Sequence, residues 1–83
     1  METIICTNCR VKFRPKDNGI SVLEQHKGKT IRLWRADLLQ CPDCGAEVIA
    51  GFGETAYDET DLFFEDRIKI AQQDEDRTFI WEV

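Results

Sequence analysis

Hydrophobic and polar residues alternate with a period of two through much of the first fifty positions, the mark of strands with one buried and one wet face. In RVKFR, residues 10 to 14, Val11 and Phe13 alternate with Arg10, Lys12 and Arg14, and Pro15 closes the run. Asn18-Gly19 follows, the pair best able to adopt the positive φ angles of a tight hairpin turn, so ISVLEQ (20–25) is expected as the next strand. Another turn is expected in HKGK around Gly28, and TIRLWRA (30–36) then sets Ile31 and Leu33 on one face and Arg32 and Trp34 on the other. AEVIAGF, residues 46 to 52, predicts a further strand with Val48, Ala50 and Phe52 on one side. Together these runs predict a meander of short antiparallel strands.

From Gly53 the pattern changes. GETAYDETD is a polar, acidic connector, and DLFFEDRIKIAQQ carries two periods at once: Phe64, Ile68 and Ala71 stand at helical spacing, while RIKI alternates as a strand does. Asp58 or Thr60 supplies an N-cap and Ala71, Gln72 and Gln73 are good helix formers, so a helix is predicted from about Thr60 to Gln73, with a hairpin as its competitor. RTFIWEV, at 77–83, predicts a last strand in which Phe79, Trp81 and Val83 alternate with Ile80. No window approaches the ~20 apolar residues that span a bilayer, and METIICTNCR lacks a basic start followed by an apolar stretch, so a soluble, cytoplasmic protein is expected.

At 83 residues the chain is one domain, and so short a chain buries too little apolar surface for a comfortable margin without a staple. Cys6/Cys9 and Cys41/Cys44 are two C-x2-C pairs with 31 residues between them. Two residues between cysteines let both sulfurs of a tight turn converge on one ion, and two such turns complete the tetrahedron that Zn²⁺ accepts at about 2.3 Å per sulfur. Disulfides are rare in a reducing cytosol, where paired cysteines more often hold metal. In the second turn Pro42 fixes its own φ and Gly45 is free to take a positive one, so that backbone N–H groups point at the thiolates. Such a site has no open position for water or substrate, so the expected role is structural, with folded signal lost on chelation.

These paired turns, the second reading CPDCG, resemble the zinc-ribbon family over residues 1 to 52. The resemblance implies a small β-rich zinc ribbon, with rubredoxin-type knuckles on antiparallel hairpins and a cysteine-only site for one structural Zn²⁺, and it implies no activity. Residues 53–83 then form an acidic helix and strand extension packed on the ribbon within a single domain. The whole chain also resembles short zinc-ribbon proteins of bacteriophage genomes, in which LWRADLLQCPDCGAEVIAGFG is a familiar kind of stretch. One departure is Arg10, which stands where glycine often follows the second cysteine. Arg10 and Lys12 are also placed to offset the net −2 charge of four thiolates on one Zn²⁺. The four cysteines are similar as well to those of rubredoxins, which carry electrons on iron, but RVKF after Cys9 lacks the glycine-aromatic continuation of those proteins.

The net charge of −5 divides unevenly: residues 1–45 carry a balance of +3, residues 46–83 one of −8. Arg10, Lys12, Arg14, Lys16, Lys27, Lys29, Arg32 and Arg35, with Trp34 as an aromatic platform, are candidates for a nucleic-acid face, or simply for the wet face of a meander. In DETDLFFED, Asp61, Leu62, Phe63 and Phe64 are candidates for docking into a basic-rimmed apolar groove of a partner, the competing reading being that the aromatics cover the ribbon. Asp61-Leu62-Phe63 also resembles the second half of the peptides by which bacterial proteins hold the sliding clamp, although Glu59 and Thr60 do not fit the first half. A third reading of the acidic half is imitation of DNA charge. GKT at 28–30 fails as a phosphate loop because position 23 is Leu23 rather than glycine, and the single His26 sits among turn residues. No serine, histidine and acid set can be assembled, so neither an enzyme nor a small-molecule substrate is expected. The resulting expectation is a non-catalytic structural-zinc module that binds a protein as an inhibitor or adaptor of replication, transcription or defence machinery. A nucleic-acid-binding zinc ribbon and a rubredoxin-like iron electron carrier stay open beside it.

Overall fold

The computed structural model describes residues 3–83. Four strands form one sheet: β1 (Arg14–His26), β2 (Lys29–Gln40), β3 (Glu47–Ala50) and β4 (Thr78–Glu82), in the order β3-β2-β1-β4. A helix, α1 (Phe64–Gln73), and a single 3₁₀ turn, Glu75–Arg77, lie between β3 and β4. The β1/β2 and β2/β3 pairs are antiparallel, whereas β4 runs parallel to β1. The molecule is thus small and β-rich, with antiparallel hairpins and a short C-terminal helix and strand.

The expected meander is corrected at its start. Neither Pro15 nor Asn18-Gly19 ends a strand; β1 runs through both as a single element of 13 residues. Its hairpin partner β2, reached through the turn at Lys27 and Gly28, is long enough to pair with the whole of it, and irregularities between Pro15 and Asp17 and between Asn18 and Ile20 absorb the misfits. Gly19, at φ 102°, forms a bulge rather than a hairpin turn. The Gly19 carbonyl turned outward there accepts hydrogen bonds from the guanidinium groups of Arg35 and Arg77. Residues 10–13 are not a strand either: Lys12 makes one isolated bridge to Ile5, and Phe13 goes into a cluster with Cys6 and Cys41.

Alternation along β1 and β2 sorts the core. Ile20, Val22, Ala36 and Leu38 are buried together on one face, with Trp34, Ile49 and Phe79 against them. On the other face Leu23 and Leu33 lie under α1, which drops Phe64 and Ala71 onto them. The helix starts at Phe64, later than Thr60, because residues 58–61 are used in turns. Asp58 Oδ1 accepts the Thr60 backbone N–H at 2.9 Å, and Asp61 Oδ1 accepts that of Phe63 at 2.8 Å. These bonds satisfy the chain in non-helical form. β3 is shorter than the expected 46–52. Gly51, at φ 66°, ends it, and Phe52 leaves the Val48 and Ala50 side to stack edge-on against Trp34 and Trp81.

At the far end of α1, Thr78 Oγ1 donates to the Ala71 carbonyl, and Arg77 clamps Asp17 through two hydrogen bonds of 2.7 and 2.8 Å. Helix and β4 are thereby fastened to β1. Among the described residues no helix is long and apolar enough to cross a membrane.

Candidate metal centre

The two C-x2-C segments fold into the same turn. In the first, the Cys6 N–H donates to the Val11 carbonyl at 2.9 Å and the Arg10 N–H to the Cys6 carbonyl at 2.7 Å. In the second, the Cys41 N–H donates to Ala46 at 2.8 Å and the Gly45 N–H to Cys41 at 3.0 Å. The fifth residue of each turn is left-handed, Arg10 at φ 62° and Gly45 at φ 79°. Glycine takes this conformation freely; a side chain costs about 1 kcal/mol there. Arg10 therefore does the work of the missing glycine under strain, and the first turn matches the second in form.

These turns bring the four sulfurs within 4.8 Å of one another. The Cys6 and Cys44 sulfurs are 3.9 Å apart, and a tetrahedron of sulfurs about 2.3 Å from one ion has edges of about 3.8 Å. All four cysteines are free of disulfides. Cys6 and Cys41 are buried, Cys9 is half-buried and Cys44 is exposed, so the centre has a protected side and an open one. Phe13 packs with the two buried cysteines, and Ile4, Val11, Leu39 and Val48 close around them. The donor set, four thiols and nothing harder, fits a soft or borderline divalent cation.

Backbone amides act on the thiols as the turn geometry requires. The N–H of Cys44, and then that of Asp43, point at the Cys41 sulfur and bring its pKa down to about 7. Cys9 is pushed up to about 12, first by its hydrogen bond to the Cys44 sulfur and then by burial. The turn amides thus favour the Cys41 thiolate, the form in which a cysteine binds a metal ion.

The other sequence-predicted residues are dispersed. Arg10, Lys12 and Arg14 are exposed on and beside the first turn. Lys16 pairs with Glu47 at 2.6 Å. Arg32 and Trp34 both bind Glu24, Arg32 through two bonds and the Trp34 indole N–H at 2.8 Å. Arg35 lies on the opposite face of β2 and donates to Ser21 and Gly19. The basic residues are therefore not one surface. Phe64 is buried under α1, whereas Leu62 and Phe63 stay 90% and 57% exposed. Arg67 donates to Asp61 and lies 4.1 Å over the Tyr57 ring, bracing the turn that carries them. His26 faces the Val83 carbonyl, at 3.1 Å.

Sequence reasoning missed the association of Trp34, Phe52 and Trp81, whose rings meet edge to face at centroid distances of 5.8 and 6.1 Å. Three segments far apart in the chain contribute them, and no local period signals that. Compared with known proteins, the chain matches no family model, no curated protein and no solved structure.

Proposed function

We propose that the chain is a zinc-ribbon module in which Cys6, Cys9, Cys41 and Cys44 hold one structural Zn²⁺, and that it acts by recognising a protein rather than by catalysis. The convergence of four sulfurs with a tetrahedral edge length carries the metal part of this reading. Four protein ligands leave the ion no open position, so it fastens the two turns together and activates nothing. The recognition part rests on what the fold leaves outside: Leu62 and Phe63 side by side on a braced acidic turn, and aromatic rings grouped near the sheet edge, neighbouring apolar groups that a partner can cover. The partner belongs, on this reading, to replication, transcription or defence machinery, and the protein serves as an adaptor or inhibitor in the cytoplasm.

A nucleic-acid role draws less support, because Lys16, Arg32 and Arg35 are engaged within the molecule and the second half is acidic. The test is capture from nuclease-treated lysate followed by metal analysis of the recovered protein. One zinc per chain, a colourless solution and a protein partner that survives nuclease are expected. A red protein carrying iron, or capture abolished by nuclease, would overturn the reading.

A further inference from the structure

The sheet has an unfilled end. β4 is its outer strand, and the Val83 N–H donates inward to the Gln25 carbonyl at 3.0 Å. In a parallel ladder alternate residues address the same neighbour, so the backbone groups of Phe79 and Trp81 also face β1, while those of Ile80 and Glu82 face the open edge. Reaching this edge from the Val22 and Trp34 face of the sheet is a groove of about 500 Å³. Its walls are Trp34, Phe52 and Trp81, its floor is Val22 and Ile49, and Ile80 and Glu82 stand at its lip.

The groove is held in shape from behind. Glu24, only 3% exposed, anchors the Trp34 indole and is itself neutralised by Arg32. Phe52 and Trp81 nevertheless remain 43% exposed each, and Ile80 53%. At the lip, Glu82 is exposed and enters no ion pair among the described residues. Asp74, Glu75 and Asp76 immediately precede β4, adding to the negative field of this half of the chain. Aromatic faces attract cations, and a lysine or arginine combines an apolar stem with a charged tip.

We propose that this groove and edge receive an extended basic segment of the partner protein, which adds to β4 as a fifth strand and lays a lysine or arginine against Trp34, Phe52 and Trp81 with its charge toward Glu82. Main-chain bonds to Ile80 and Glu82 supply affinity and the aromatic groove supplies the preference for a cationic side chain. This names the partner chemistry left open in the protein-recognition reading above and rests on it.

The experiment uses the full chain loaded with zinc and two end-blocked heptapeptides, one alternating valine with lysine, the other valine with glutamate. Tryptophan fluorescence reads binding, and amide hydrogen exchange reads the edge. The lysine peptide should bind at least tenfold more tightly than the glutamate peptide and slow exchange at Ile80 and Glu82 at least tenfold. Trp81→Ala should weaken it about tenfold, Glu82→Gln about threefold, and Ile80→Pro should abolish binding with the melting temperature kept, since that N–H faces outward. Gln72→Ala, exposed on α1 and outside the groove lining, should change nothing. Equal binding of both peptides, lysine-peptide binding indifferent to Trp81→Ala and Ile80→Pro, or protection of the edge by self-association at rising protein concentration would each overturn the proposal. If Ile80→Pro and Trp81→Ala still capture the same protein from lysate, the strand-docking inference fails while the recognition reading stands.

Discussion

Stripping the zinc-loaded protein with a chelator is expected to melt the cysteine lobe and leave the rest of the sheet standing. Residues 3–13 contribute no strand, only the bridge of Ile5 to Lys12 and the side chains around Phe13. Holding these eleven residues, and the six from 41 to 46, costs roughly 17–25 kcal/mol at about 1–1.5 kcal/mol per residue. Burial of Phe13 and the partial burial of Ile4 and Val11 return about 5 kcal/mol, and five backbone hydrogen bonds of the two turns about 5 more. The lobe alone therefore falls short by roughly 7–15 kcal/mol, a range that the ~10–16 kcal/mol of a structural zinc site can supply. Beyond the lobe, Ile20, Val22, Leu23, Leu33, Phe64 and Ala71 make two buried clusters that include no cysteine. Amide hydrogen exchange at neutral pH, with reductant and rising chelator, should show Cys6, Phe13 and Cys41 losing protection together while Val22 and Leu33 keep theirs. Lasting protection at Phe13, or simultaneous loss at Val22, would refute the reasoning.

The two turns differ only in who bears the left-handed position. Gly45→Ala should cost about 1 kcal/mol through φ alone, since the nearest foreign atom to the added Cβ is 3.9 Å away, and Arg10→Gly should gain up to about 1 kcal/mol; chelator titration of the unfolding midpoint reads both. Leu33→Ala should lower stability by about 3 kcal/mol in urea and loosen α1, because Phe64 and Ala71 rest on that side chain. Glu24, held below its ordinary 4.5 first by the Trp34 indole N–H and then by Arg32, contributes stability that is complete above about 4.5 and lost as pH falls through its lower native value. The unfolded chain takes up that proton first, so Glu24→Gln should lower the melting temperature at pH 7 and converge on wild type as the pH falls through the native value of Glu24, and a difference that stays constant as the pH falls would exclude the linkage.

Where the period of two ran unbroken the sequence was informative: the turn at Gly28, the opposite faces of Leu33 and Trp34, and the strand at Phe79 are present. It misled at Asn18-Gly19 because the local preference for a turn is small beside the pairing of a long β1 with an equally long β2, and a bulge satisfies both. The parallel placement of β4 was invisible for another reason. Alternation gives the face of a strand but not its neighbour or direction, and here both were decided by α1 crossing one side of the sheet with Arg77 and Thr78 fastening its end.

The same distinction separates the two candidate sites. A cysteine pair is a local object: spacing within six residues fixes the turn, and the turn fixes the sulfurs, so the metal centre could be read residue by residue, including the departure at Arg10 that its positive φ accommodates. The aromatic groove is a product of register. Phe52 bridges Trp34 and Trp81 only because Val22 pairs with Trp34 on one side and with Phe79 on the other, and because Gly51 turns Phe52 off the end of β3. Shifting β4 by one residue would reverse Trp81 and Ile80 and dismantle the groove without touching a cysteine. If the proposed strand docking holds, it depends on the clamp of Arg77 on Asp17 that fastens β4 to β1, and Arg77→Ala should weaken the lysine heptapeptide severalfold with metal content unchanged. Unaltered binding in that variant, with Trp81 still essential, would show that β4 holds its register without the clamp.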